Sequence, residues 1–509
     1  MQLVGLIQRS QKRKEAMRGE TLTLILINLA GIMERADESL LPGVYKEVGE
    51  ELHADPTRLG SLTLFRSIVQ ASCFPLAAYL SARHNRAHII AYGAFLWAAA
   101  TFLVAFSSSF LQVAISRGLN GIGLAIVGPA IQSLVADSTS DENRGMAFGW
   151  LQLTSNLGSI IGGLLSLLIA STTFMGIPGW RVAFHLVGII SVIVGILVRL
   201  FADDPLYSQR LEPEIGQTLW SNVKDLMREA KVSWARFHGL RCRLHQCGWN
   251  SQASHKNTAF LIFLFVIGNS LGGLFGGRAG DVLSKRFPKS GRIVLSQISS
   301  GSAIPLGWLL LLALKDDPST FVSHAIVLLI MGFFISWNAA ATNNPIFAEI
   351  VPEKSRTSIY ALDRSFESIL SSFAPPIVGI LAQHVYGYIP IEKGSESIAT
   401  DRENATSLAK ALYASIGFPM ALCCFIYSFL YRTYPRDRER ARMEALIEAE
   451  MDTLDSGTMD GKQRFRINDD IYDNDRTSME MEYDDSVTFD ESDEKMLLHR
   501  QLTFADMVV

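Results

Sequence analysis

The chain has 509 residues, 49% of them hydrophobic and only 19% charged, with a formal net charge of −4. That balance is unlike an average soluble domain, and the small acidic excess gives no reason to expect a nucleic-acid partner. The apolar residues gather into windows of roughly 18 or more, the length that crosses about 30 Å of hydrocarbon as a helix, so the fold class expected is an all-α polytopic membrane protein.

Residues 1–20 form a basic head (QRSQKRKEAMR) that belongs on the cytoplasmic side. Six spans are predicted next, at 21–42, 59–80, 88–106, 110–136, 145–170 and 180–201. The first of them lacks a small-residue cleavage pattern, so it is read as a span and not as a removable signal. A polar interval over 203–257 is followed by five more spans, at 258–283, 292–314, 321–347, 358–386 and 408–431. Beyond them RDRERARMEALIEAEM reads as a short charged helix, and residues 433–509 as a whole read as an acidic, disordered cytoplasmic tail. The five cysteines show no secreted-framework spacing, and no disulfide is implied.

The two groups of spans repeat each other's punctuation. VADSTSDENRG precedes a Gly-rich span in the first group and AEIVPEKSRT precedes FAPPIVG in the second, with Arg144 and Arg356 in equivalent places. Two six-helix halves, 21–202 and 258–432, are a transporter plan, and they require twelve spans where eleven are recognisable. Loop charge points to the gap: Lys285, Arg286, Lys289 and Arg292 join Arg83, Arg86 and Arg144 on the cytoplasmic side only if the chain crosses once more between 203 and 257. The same topology puts the sequon at Asn404 outside, available for glycosylation. Yet 236–255, RFHGLRCRLHQCGWNSQASH, holds several arginines, each costing about 2.5–3.5 kcal/mol at a helix centre, with little aliphatic residue to offset them. It occupies the slot of a missing helix. Its Cys242, His245, Cys247 and His255 lack the paired spacing of zinc ligands.

Three motifs carry a specific likeness. RGLNGIGLA from Arg117 places spaced small residues after an arginine; GGRAGDVLSKRFPKSGR at 276–292 has Gly277, then Asp281, with Arg286 and Arg292 downstream; INLAGIMERADESLLPG at 27–43 contains the pair Glu34-Arg35. Together they resemble the major facilitator superfamily and, within it, plant-type members of the Spinster-like branch, over about 20–230 and 256–435. The first-half loop motif departs from the pattern: AYLSARHNR has Ala82 where an Asp is expected, while Arg83 and Arg86 remain.

Ionisable residues inside spans are costly and usually face a cavity or a partner. Glu34, Asp37 and Glu38 at i, i+3 and i+4 are expected on one helical face, with Arg35 and Arg117 as counter-charges. The resemblance implies proton coupling and substrate binding for Glu34, Arg35 and Arg117. Asp363, Arg364 and Glu367 form a second cluster, either a structural ion pair or a cavity element; Asn338, Asn343 and Asn344 either contact substrate or join helices. In the loop motif the glycines permit close backbone approach, and Asp281 is suited to accept from a helix N-terminus or an arginine. Gly158, Gly162 and Gly163 are expected to serve helix packing. With no Walker A loop, dinucleotide fingerprint or nucleophile elbow in a suitable setting, neither an enzyme nor a cofactor is expected. The resemblance implies a monomeric secondary transporter, proton-coupled and working by alternating access, that moves a small or lysolipid-like amphiphile across the bilayer. The other reading is a membrane protein that does not transport, and the side on which 284–292 lies discriminates the two.

Overall fold

Helix accounts for nearly all of the described chain. A computed structural model describes residues 2–53, 56–170, 172–174, 176–205, 207, 255–314, 318–372, 374–388 and 398–468. Two units are distinguished, 1–445 and 446–509, and the helices considered below are those of the first. In the second, 446–468 is helical.

In chain order, α1 (Gln2–Gly43) and the short α2 (Tyr45–Glu51) precede α3 (Pro56–Arg83), α4 (Arg86–Phe106), α5 (Phe110–Asp137) and α6 (Arg144–Ala170). A two-stranded antiparallel turn, β1 (Thr173–Phe174) with β2 (Ile177–Pro178), leads into α7 (Gly179–Phe201). Then come α8 (His255–Arg286), α9 (Gly291–Trp308), α10 (Phe321–Ile335), α11 (Asn344–Ile350), α12 (Arg356–Ser372), α13 (Ala374–Ile380) and α14 (Ile398–Asn468). Local chemistry sets several starts: Asn85 Oδ1 accepts from the amides of Ala87 and His88 at the head of α4, and Ser109 caps α5 through Gln112. Wide π-helical turns follow α9 (Leu309–Ala313), join α10 to α11 (Asn338–Asn343) and follow α13 (Leu381–Val385), so the second group of helices is the more irregular.

Among the described residues, eight helices are long and apolar enough to cross a membrane: 86–106, 110–137, 144–170, 179–201, 260–286, 291–313, 321–350 and 403–447. The other three expected spans, 21–42, 59–80 and 358–386, are helical too but diluted by polar side chains: Glu34 to Glu38 on α1, Arg66 and Gln70 on α3, Asp363 to Glu367 on α12. The least apolar helices are therefore those with ionisable groups mid-span.

The stretch 236–255 falls outside the described residues, save that α8 begins at His255. The described ends on either side of that gap are informative. The amide of Arg86 donates to Asp204, just after α7, and the far end of α8 meets the start of α6 through Asp281. With 32 residues, α8 is about 48 Å long, so His255 lies on the face opposite to Asp204. Segment 284–292 thus shares one face with Arg86 and Arg144, the arrangement that loop charge required.

The largest apolar cluster packs Trp97, Phe148, Trp180 and Phe184 at no more than 2% exposure and continues into Phe347, Ile359 and Tyr360 near that shared face. Gly158 and Gly162 let α6 press onto α1: a Cβ at either would lie 2.2–2.3 Å from the carbonyl oxygens of Ile32 and Ala36. Gly163 faces open space instead.

Candidate functional site: a polar cavity and its sealed face

Two sites of charge emerge, one on the face carrying the short basic loops and one midway along the helices. On the basic face, Asp281 of α8 accepts from the backbone amides of Gly145 and Met146, both at 2.8 Å, and so caps the free N-terminus of α6. The helices touch backbone to backbone there: a Cβ at Gly277 would sit 2.2 Å from the Gly145 carbonyl oxygen, and one at Gly145 would sit 2.5 Å from that of Gly277. Only glycine fits either position. Arg292, 1% exposed, donates to Asp281 at 3.2 Å, to Glu349 at 2.9 Å and to the Ala341 carbonyl at 2.9 Å. Tyr434 and Arg438 of α14 also reach Glu349, Arg438 at 3.3 Å.

The opposite seam, where α12 packs against α3 and α5, is built differently. Arg86 is fully buried and holds Asp204 through its side chain at 2.9 Å while also pairing with Asp137; Asp137 in turn pairs with Arg356 at the start of α12. One carboxylate is thereby shared by arginines from the two halves. Ala82 is exposed and has no group to repeat what Asp281 does. Arg83 and Arg286 do not join these clusters as the loop-motif reading expected: both are exposed, Arg83 against Tyr79 and Arg286 near the ring of Phe287. Each is the last residue of its helix, and its long side chain extends along the surface.

Midway along the helices lies a cavity of about 260 Å³, lined from both halves. Glu34 and Arg35 of α1 reach it, as do Gln132, Gln152 and Asn156, opposite Asn269, Asn338, Asn344, Arg364 and Glu367. The apolar part of the wall includes Phe148, Phe265, Ile335 and Met420. Polar contacts join the two sides: Gln152 donates to Asn269 at 3.0 Å, Asn156 to Ser270 at 3.1 Å, and Arg364 to Gln132 at 3.4 Å. Arg364 also pairs with Glu367 at 3.2 Å, the i,i+3 contact expected from their spacing. The buried amide oxygens of Gln152, Asn338 and Asn344 find no donor among the described residues. Asn338 and Asn343 serve helix joining as well, through Ser300 and Tyr427. Asp363 is half-buried and is not part of the cavity wall.

The three acids of α1 do not share one environment. Glu34 lines the cavity, but Asp37 points into the first half, fully buried, where it accepts from Asn120 at 2.7 Å and from Thr101, with Arg117 at 3.9 Å. Asp37 and Arg117 therefore pair with each other away from the cavity, which corrects the expectation of a common face. Glu38 takes Arg35 at 2.6 Å and Arg66 at 2.8 Å. A turn of 100° per residue explains the divergence: Asp37 and Glu38 stand roughly 60° and 40° to opposite sides of Glu34, and α1 is packed on both flanks. Arg66, Asp137, Asp204 and Glu349 escaped the sequence reading. Arg66 was within its reach, since it stands in an apolar span as Glu34 does. Asn404 is helical and 6% exposed, a packed position that does not present a sequon. The cysteines and histidine at 242–247 lie outside the described residues.

Helices of membrane length in two groups, with a polar cavity walled by both, define a multi-pass integral membrane protein of the kind that moves solutes. The chain belongs to the Major Facilitator Superfamily, whose family model matches residues 27–250 and 244–467. It is Spinster-like, as the first-helix motif led one to expect. Protein spinster of Drosophila melanogaster is 21% identical over 418 residues, which cover 77% of this chain and 67% of that protein. The sphingosine-1-phosphate transporter SPNS2 of Xenopus tropicalis is 26% identical over 180 residues, 35% of this chain and 34% of that protein. Among solved structures, the proton:xylose symporter XylE superposes with a TM-score of 0.56 at 14% identity, over 80% of this chain and 94% of that one, a likeness of fold.

Proposed function

We propose that this protein is a secondary active transporter of a small or lipid-like amphiphilic solute, driven by protons and working by alternating access. The observation that carries the reading is the cavity: Glu34 and Arg35 from the first half face Arg364 and Glu367 from the second across about 260 Å³. A midplane site at the junction of two halves is where such transporters bind. Glu34 is the coupling acid in this reading, because an adjacent arginine that approaches or withdraws changes how readily a carboxylate takes a proton. Arg364, Glu367 and the unmatched amide oxygens suit a head group with hydrogen-bond donors and a charge, and the apolar wall suits a hydrocarbon portion. The relative that transports sphingosine-1-phosphate supports an amphiphile as the first solute to try.

On the basic face, Asp281 on the amides of Gly145 and Met146 and Arg356 on Asp137 tie the halves together, with Arg292 and Arg86 bracing the two carboxylates from within each half, and release of the two ties would open the cavity to that side. Uptake by proteoliposomes holding the full chain, with and without an imposed pH gradient, tests the proposal with fluorescent lysophosphatidylcholine and sphingosine-1-phosphate as probes and xylose as comparator. Gradient-stimulated uptake of an amphiphile that Glu34→Gln abolishes is expected. Transport indifferent to both the gradient and that substitution would overturn the coupling claim.

A further inference from the structure

Glu38 lies one helical turn from Glu34 and lines no part of the cavity, yet its carboxylate is held at both oxygens. Oε2 accepts from Arg35 at 2.6 Å and Oε1 accepts from Arg66 at 2.8 Å. Arg66 is anchored: it is 4% exposed, and its carbonyl oxygen lies so near α5 that a Cβ on Gly121 would come within 2.7 Å of it. An arginine fixed in the packing of α3 against α5 thus holds a carboxylate, and that carboxylate holds an arginine of the cavity wall.

Arg35 has other partners in range. Glu34 is its neighbour in sequence, and Glu367 of α12 acts on it electrostatically from the far side of the cavity. The charged groups around it are Glu34 and Glu38 on its own helix, Arg66 on α3, and Arg364 and Glu367 on α12 with Asp363 beside them. From α14 the titratable groups at the cavity are Cys423 and Tyr427; α5, α6 and α8 contribute amides and hydroxyls. Asp37 and Arg117 answer each other elsewhere. Where Arg35 sits is therefore decided by a competition between Glu38 on one side and Glu34 and Glu367 on the other.

We infer that Glu38, anchored by Arg66, is a positioning residue that parks the Arg35 guanidinium one turn from Glu34 and so sets how acidic the medium must be for Glu34 to take its proton. This rests on the reading of Glu34 as the coupling acid. A cation drawn onto a carboxylate makes the carboxylate harder to protonate. Neutralising Glu38 releases Arg35 toward Glu34 and Glu367, and the pH dependence of transport moves toward acid.

The test is the pH profile of probe uptake by the full chain in proteoliposomes, taken for wild type, Glu38→Gln, Glu38→Asp and Arg66→Gln. Glu38→Gln is expected to shift the midpoint of the profile by about one pH unit to lower pH. Glu38→Asp, which keeps the charge, should stay near wild type, and Arg66→Gln, which leaves Glu38 to hold Arg35 alone and removes a nearby cation, should move the midpoint by less and to higher pH. A purely structural role would lower uptake at every pH and leave the midpoint in place. Should Glu38→Gln fail to reconstitute, Arg66→Gln carries the measurement. Profiles of Glu38→Gln and Arg66→Gln that overlay the wild-type curve would overturn the inference while leaving proton coupling intact. A wild-type profile that is flat, with Glu34→Gln harmless, would instead overturn the coupling reading and this inference with it.

Discussion

Arg144 and Arg356 make the same two contacts in the two halves of the molecule. Each donates to the carbonyl eight residues before it, Ala136 at 3.2 Å and Ala348 at 2.7 Å, and each pairs with the carboxylate three residues before it, Asp141 at 2.7 Å and Glu353 at 3.5 Å. The repeat read from loop sequences is thus a repeat of geometry, with an arginine closing the loop between consecutive helices. The two differ in one respect: Arg356 also reaches Asp137 in the other half, whereas among the described residues Arg144 pairs with no carboxylate across the halves, its helix being capped by Asp281 instead.

Asp137→Asn removes the charge that Arg86 and Arg356 share, leaving two largely buried guanidiniums with less compensation. Breaking a buried pair costs about 3–5 kcal/mol, part of which Asp204 recovers at Arg86. The melting temperature in detergent should fall, and a cysteine placed at Ala361, buried against α3, should label faster than in the parent. Unchanged labelling would show that this carboxylate does not hold the seam.

Gly277→Val asks a branched side chain to occupy space where even a Cβ meets the Gly145 carbonyl at 2.2 Å. The α6–α8 crossing must part, and Asp281 loses its amides. We expect the protein to insert in the membrane while a cross-link between cysteines at Glu142 and Lys285, whose charged ends lie 2.7 Å apart, drops several-fold. Wild-type cross-linking would mean that the backbones do not need this approach.

Asp37→Asn and Glu34→Gln should separate stability from transport. Asp37 is wholly buried beside Asn120, Thr101 and Arg117, so its neutralisation is expected to cost roughly 3–5 kcal/mol and lower the yield of folded protein. Glu34, on the cavity wall, should tolerate the change in fluorescence-detected size-exclusion profiles and thermal melts while losing gradient-driven uptake. A reversed pattern would exchange the roles assigned to the two acids.

The exposed pair Lys285–Glu142 gives a pH prediction outside the membrane. Hydrogen bonding to the Lys285 ammonium, reinforced by its charge, holds the Glu142 carboxyl below its ordinary range. A depressed carboxylate contributes above its unfolded pKa, and the contribution disappears as pH falls through the folded value. Both side chains are more than half exposed, so the effect is small and sensitive to salt. Thermal melts of Glu142→Gln and wild type should coincide in acid and differ slightly at neutral pH in low salt; a difference that grows on acidification would contradict this sign.

Much of this architecture was legible because a bilayer permits few ways to satisfy backbone polar groups, so that apolar length and loop charge carry the topology. Glu34, Arg35, Arg364 and Glu367 were legible for the same reason: a charge in a span is expensive and needs a purpose. The direction in which Asp37 and Glu38 diverge was not, because it depends on which neighbours flank α1. Asp137, Asp204 and Glu349 were hidden at helix ends, where an acid looks like any solvated loop residue until a buried arginine is seen against it. Arg83 and Arg286 are the converse case, motif positions whose exposed side chains lie against Tyr79 and Phe287 on their own flanks and not in the buried clusters.

The alanine at position 82 gives the closed molecule a sidedness. Along α6 and α8 the halves are stitched through main chain, with glycine against glycine and a carboxylate on a helix end, and no rotamer change alone can undo such a join. Where α12 meets α5 they are held by the tips of side chains, Arg356 on Asp137 and Thr357 on Ser133, which can let go one at a time. The protein is fastened like a book, bound along one edge and clasped along the other.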